Sequence, residues 1–184
     1  MARKTVITVP HRRKREGKTD YKKRLNILYS NKSRFVVRKT PNNIQIQMIN
    51  YESKGDKVLV CVHANELLKL GWTYGMGNTP AAYLTGYLAG KKAVSKGIKE
   101  AILDIGLQAQ GERLYAALKG ALDAGLNIPH NEKIIPKEER LNGEHIVKCF
   151  DSVKNDQQFS AYKKKNLKVA DIKNLIEKVK GNIK

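Results

Sequence analysis

Three strand-patterned segments follow one another between Ser33 and Val62 with only turn chemistry between them, so the fold has to open on an antiparallel meander. In SRFVVRKT (33–40), Phe35 and Val37 alternate with Arg34, Val36 and Arg38. Pro41-Asn42-Asn43 supplies the turn. In IQIQMINY (44–51), Ile44, Ile46 and Met48 share one face, and Gln45 and Gln47 lie on the other. A period of two in both segments makes a hairpin with one apolar face and one polar, partly basic face. The Lys54-Gly55-Asp56 turn leads to VLVCV (58–62), whose unbroken apolar run predicts a central strand buried on both faces.

Beyond Val62 the period changes. A short helical piece near Glu66–Leu70 precedes the glycine-rich loop GWTYGMG (71–77). Thr79 is expected to cap a helix with Pro80 in its first turn. That helix should run through AAYLTGYLAGKKAV to about Lys96, where Gly97 stops it. Glu100–Ile105 reads as a fourth strand, and Glu112–Ala124 as a second long helix ended by Gly125. The expected fold class is therefore α/β: a mixed sheet of about four strands with helix cover, joined by a right-handed crossover from the third strand to the fourth. From Asn127 to Asn142 the pattern is irregular, because Pro129 and Pro136 prevent a long helix. A last amphipathic helix sets Val169, Ile172, Leu175, Ile176 and Val179 on one side.

Charge divides the chain differently. Residues 1–40 carry 14 basic and 2 acidic side chains, net +12; residues 41–150 carry 13 and 11, net +2; residues 151–184 carry 9 and 4, net +5. Most of the total of +19 thus sits at the two ends of a nearly neutral body. Residues 1–17, crowded with Arg12, Arg13, Lys14 and Arg15, have no period and predict an extended basic arm that orders on binding. Residues 18–130 read as the globular domain and 131–184 as a C-terminal extension. After the arm, Tyr21, Leu25, Leu28 and Tyr29 recur at helical spacing, so a short helix should dock its apolar side on the body and turn Lys22, Lys23 and Arg24 outward. A cationic arm on a neutral body suits an electrostatic grip on a polyphosphate backbone.

Other chemistry is absent from the patterns. Cys61 and Cys149 have no close cysteine or histidine partners, which excludes the usual zinc spacings and leaves buried or incidental thiols. His11, His63, His130 and His145 lack a metal partner at helical spacing and a nucleophile in a recognisable pattern. Asp104 is a lone acid in an apolar strand, better suited to capping the strand end than to catalysis. The loop before the capped helix lacks the Gly-Lys-Ser/Thr of a P-loop and the spacing of GxGxxG. It stands either as an ordinary capped turn or as a set of amides for an RNA phosphate. The stripe Ala82, Gly86, Gly90 and Ala93 requires close approach by a neighbour, either the sheet or RNA. No catalytic group, metal or cofactor is expected. No apolar run reaches membrane-spanning length, and the chain reads as a soluble cytoplasmic protein without a membrane partner.

Four segments carry a resemblance: REGKTDYKKRL (15–25), FVVRK (35–39), GNTPAAYLTGYLAGKK (77–92) and ALKGALDAGLNIPH (117–130). Together they closely resemble the 5S-rRNA-binding protein family of the large ribosomal subunit, the bacterial L-eighteen family, called L-five in eukaryotes. GNTPAAYLTG followed by ALKGALDAGLNIPH points to the archaeal and eukaryotic branch. EERLNGEHI (138–146) and FSAYKKKNL (159–167) extend the likeness. The resemblance implies a mixed sheet with the fourth strand beside the first. It also implies a structural role anchoring 5S rRNA to large-subunit rRNA in the central protuberance, beside neighbouring large-subunit ribosomal proteins. By the same resemblance Arg12, Arg13, Arg15, Lys18, Tyr21, Lys22 and Arg24 fall in an RNA-contacting arm. Arg34, Arg38 and Lys39 fall on a basic hairpin, and Asn78 and Thr79 in a glycine loop beside the rRNA.

Overall fold

In the computed structural model, which describes residues 8–152, 159–165 and 167–183, the meander is present as β1 (Ser33–Lys39), β2 (Ile44–Asn50) and β3 (Lys57–His63). The remaining strand, β4 (Ala101–Asp104), pairs parallel with β1, and the order across the sheet is β3-β2-β1-β4. The fold is α/β with a mixed sheet, and the fourth strand lies beside the first. Around it run α1 (Arg12–Arg15), α2 (Tyr21–Leu28), α3 (Glu66–Lys69), α4 (Thr79–Ser95) and α5 (Glu112–Asp123). Beyond them lie α6 (Glu138–Leu141), α7 (Glu144–Ser152), α8 (Ser160–Lys164) and α9 (Ile172–Asn182).

The expectation of a central third strand fails. Because the chain returns through α4 to the free side of β1, β3 is left at the sheet edge. Val60 and Val62 face the core, while Val58 is 47% exposed and Cys61 is open to solvent. An apolar run there is satisfied on one face only. Both cysteines are exposed, so neither is a buried thiol. The helix start also moves by one residue. Asn78, not Thr79, is the cap, its side chain accepting from Ala81 N at 2.8 Å, and Thr79 and Pro80 open the helix.

The stripe of small residues on α4 meets α5, not the sheet or an open surface. A Cβ on Gly86 would lie 2.0 Å from the carbonyl oxygen of Ala117. One on Gly120 would lie 2.1 Å from the carbonyl oxygen of Tyr83, and one on Gly90 2.7 Å from Cβ of Ala124. The two backbones touch through reciprocal glycines, which offsets the helix propensity that those glycines forfeit. This contact lets two helices lie over the sheet face formed by Phe35, Val37, Ile46, Met48 and Val62, all 0% exposed.

Residues of the C-terminal extension join the same core. Val169, Ile172, Ile176 and Val179 are buried, matching the expected apolar side; α7 and α8 were not among the expected elements. Lys180 Nζ donates to the Tyr83 hydroxyl at 2.9 Å, and that hydroxyl donates to Asp123 Oδ2 at 2.9 Å. Burial, and then the Asp123 carboxylate, push the Tyr83 pKa upward, so the hydroxyl remains a donor. Tyr83→Phe removes the link between α9 and α5. It should cost about 2 kcal/mol, because both partners are charged. A thermal melt should show a fall of roughly 4–8 °C.

Candidate nucleic-acid interface

The Asp20 side chain caps α2, accepting from Lys23 N at 3.1 Å. Leu28 is half-buried and Lys22 and Lys23 stay exposed, as expected, but the rest of the helix seats differently. Arg24 reaches inward to both oxygens of Asp56, at 2.9 and 2.8 Å, and Lys23 Nζ donates to the Gly106 carbonyl at 3.3 Å. Tyr21, Leu25 and Tyr29 face solvent, 37%, 50% and 72% exposed. The reason lies on the sheet's other face, where carboxylates await a cation. Ion pairs at partly buried sites decide the orientation of a helix this short, whose apolar residues are too few to decide it alone.

Those carboxylates are organised by Arg34. Its side chain is only 5% exposed, and its Nη1 donates to Asp104 Oδ2 at 2.9 Å and its Nη2 to Asp56 Oδ2 at 2.6 Å. A buried guanidinium needs such partners, since an unpaired one would carry a large desolvation penalty. Asp104 also performs the strand-end role, its Oδ1 accepting from Gly106 N at 2.8 Å. Arg38 Nη1 donates to the Asp104 and Val37 carbonyls, both at 2.9 Å. Desolvation, opposed by Asp104 and reinforced by Arg34, lowers the pKa of Arg38. Lys39 Nζ donates to the Ala109 carbonyl at 2.9 Å. The basic hairpin is thus split: Arg34 faces inward, while Arg38 keeps 41% of its side chain in solvent.

The arm is not wholly extended. Residues 1–7 lie outside the described part, but Arg12–Arg15 form one turn of helix with no buried residue. Arg12 and Lys18 both pair with Glu16, at 2.9 and 2.8 Å. Arg13 Nε donates to Thr19 Oγ1 at 2.9 Å, and the His11 ring lies 5.1 Å from that of Tyr21. Arg15 and Lys22 are exposed. The arm, α2 and the Arg34–Arg38 side of the sheet therefore form one basic face. Asn78 and Thr79 lie apart from it. The Asn78 side chain is spent on the cap, and Thr79 is 6% exposed.

The glycine-rich loop is built into the body. Trp72 and Tyr74 are buried, the Tyr74 hydroxyl donates to the Lys168 carbonyl at 2.6 Å, and Arg113 Nη1 contacts the carbonyls of Thr40, Pro41 and Gly77, each at 3.0 Å. Arg113 thus ties the β1–β2 turn to the loop, a role no sequence pattern signalled. Asp56 was also missed, and Asp104, read only as a strand-end cap, additionally holds Arg34.

The fold and this face define a small α/β protein that presents a fixed cationic surface. Among the described residues no group of three or more His, Cys, Asp or Glu side chains is placed to hold a metal ion. The family model described as "Ribosomal large subunit proteins 60S L5, and 50S L18" matches residues 7–99 and 95–131. The chain is 49% identical over 190 residues to large ribosomal subunit protein uL18 of Methanococcus maripaludis, covering 100% of this chain and 98% of that one. It is 46% identical over 177 residues to uL18 of Methanothermobacter thermautotrophicus, covering 94% and 92%. The chain belongs to this family of large-subunit ribosomal proteins, in its archaeal form, a family of structural proteins and not of enzymes.

Proposed function

We propose that this large-subunit ribosomal protein binds 5S rRNA and helps hold it against large-subunit rRNA in the central protuberance, without catalysis. The observation that carries the reading is the single basic face made by the arm, α2 and Arg38, set on a nearly neutral body. Arg12, Arg13, Arg15, Lys18 and Lys22 would meet phosphates, and displacing condensed counterions would supply most of the affinity. Tyr21 and, two turns further along α2, Tyr29 each offer an exposed ring for a base or sugar. Arg24 and Arg34 act by holding α2 to the sheet, and Asn78 and Thr79 by fixing the start of α4. The C-terminal extension would face neighbouring large-subunit ribosomal proteins.

The test is direct binding of the full chain to folded 5S rRNA and to vesicles of anionic lipid at matched ionic strength. The expected result is binding to the RNA about a thousandfold tighter or more, on the order of the gap between specific and non-specific sites. Equal affinity for the two would sink the ribosomal RNA reading in favour of a general polyanion binder.

A further inference from the structure

The outermost strand on the meander side is β3, and its own residues give it little protection. KVLVCVH (57–63) is rich in β-branched residues, has no acid and no proline, and leaves Val58 and Cys61 exposed. Such a segment at the side of a sheet is a template for a further strand. It carries one irregularity of its own: Val58 pairs with Ile49 and Val60 with Met48, so Leu59 is an extra residue on β3.

Two side chains from outside the strand close part of what remains. Ala64 N donates to Ile44 O at 2.9 Å, continuing the β2–β3 ladder. By alternation Val60 and Val62 also direct their backbone groups to β2, and Cys61 and His63 direct theirs to the open side. Lys96, at the C-terminal cap of α4, donates from Nζ to the Leu59 carbonyl at 2.5 Å. His63 N donates to Glu66 Oε1 at 3.1 Å, and the other oxygen of that carboxylate holds Lys92 Nζ at 2.5 Å. Burial acts to raise the Glu66 pKa, but the hydrogen bonds from Lys92 and His63 N, with the charges of Lys92 and Lys69, bring it below its ordinary value. The carboxylate is therefore ionised at neutral pH.

The two capped groups are related by position. Leu59 and His63 lie equally far from Cys61 along the strand. In a second copy laid antiparallel about a two-fold axis at Cys61, Leu59 of one chain would face His63 of the other, and the Leu59 carbonyl would accept from the His63 N–H. That acceptor and that donor are the groups that Lys96 and Glu66 occupy. We infer that Lys96 and Glu66 keep the chain monomeric by holding the acceptor and the donor through which two copies of β3 would pair. Pairing would exchange charge-assisted hydrogen bonds for neutral ones, a net loss. The inference stands apart from the RNA reading, since neither residue belongs to the basic face.

The experiment uses the full chain carrying Cys149→Ser, which leaves Cys61 as the single thiol. Sedimentation is measured at roughly 1 M salt, where a Debye length of about 3 Å screens the repulsion between copies of net charge +19. This parent should be monomeric. Lys96→Ala/Glu66→Ala should self-associate on the order of a hundredfold more tightly, the effect of two charge-assisted bonds that no longer have to be broken. A short bis-maleimide should then link Cys61 to Cys61, whose Cα atoms would lie about 5.5 Å apart. Lys96→Arg/Glu66→Gln, which keeps a donor and an acceptor in place, should remain monomeric. Lys96→Ala alone, at an exposed position, should show about a tenfold effect and decides the matter where the double variant folds poorly. A parent that already dimerises through Cys61, alanine variants that stay monomeric, or dimers that do not link at Cys61 would overturn the inference. So would a conservative variant that dimerises as tightly as the double alanine.

Discussion

Gly86→Ala should unfold this protein well below the melting temperature of the wild type, although alanine is the better helix former by roughly 1 kcal/mol. The new Cβ would sit 2.0 Å from the Ala117 oxygen, 2.7 Å from its carbonyl carbon and 2.8 Å from its Cα. All three are backbone atoms of α5, so no rotamer change relieves the overlap. The helices would have to separate by more than an ångström. Gly120, whose Cβ would meet Tyr83 O at 2.1 Å and Tyr87 N at 2.7 Å, would then be pulled from its own seat. Overpacking a core costs about 1–3 kcal/mol where side chains can yield. Backbone against backbone should exceed that range, a fall of roughly 10 °C or more. Gly181→Ala, with nothing within 4 Å, is the control and should melt at or slightly above the wild type. If Gly86→Ala melts within a degree of the wild type, the α4–α5 approach described above is too close.

Removing residues 1–17 should leave the melt nearly unchanged and flatten the salt dependence of 5S rRNA binding. The deleted segment carries Arg3, Lys4, Arg12, Arg13, Lys14 and Arg15 against Glu16, a net +5. Its one helical turn buries no side chain, so the body loses little. On a duplex each phosphate neutralised contributes about −0.9 to the slope of log K against log salt. If all six cations meet phosphates, the slope should become shallower by about five, and by less in proportion if fewer do. The loss should therefore be largest at low salt and shrink as salt rises. A truncated chain with the wild-type slope would assign the grip to the body instead of the arm.

The sheet was legible because strand patterns and turn residues agree at every step from Ser33 to His63, and because Gly97 and Gly125 mark the helix ends. What escaped was decided by tertiary contacts. The position of VLVCV at the edge depends on where the chain returns, and an apolar run has the same appearance at the edge or the centre of a sheet. The seating of α2 was read from its apolar spacing, but Asp56, 32 residues beyond Arg24, and the Gly106 carbonyl hold its charged side instead. The small-residue stripe correctly announced a close neighbour, and composition could not say that the neighbour was another helix. At the basic face, the residue types were evident from charge, whereas the division between exposed cations and the inward Arg34 required the fold.

The parallel pairing of β1 with β4 has a consequence for the order of synthesis. About 60 residues separate the end of β1 from the start of β4. At about 5–20 residues per second, β1 waits on the order of 3–12 s after translation for its second neighbour. Over that interval the nascent hairpin shows an unpaired backbone edge, the kind of surface that recruits other chains. Arg34, Arg38 and Lys39 lie on that strand, and their charges oppose pairing with another copy. When Asp104 emerges on β4, it brings the counter-charge that lets Arg34 be buried, so the edge loses part of its electrostatic guard as its rightful partner arrives.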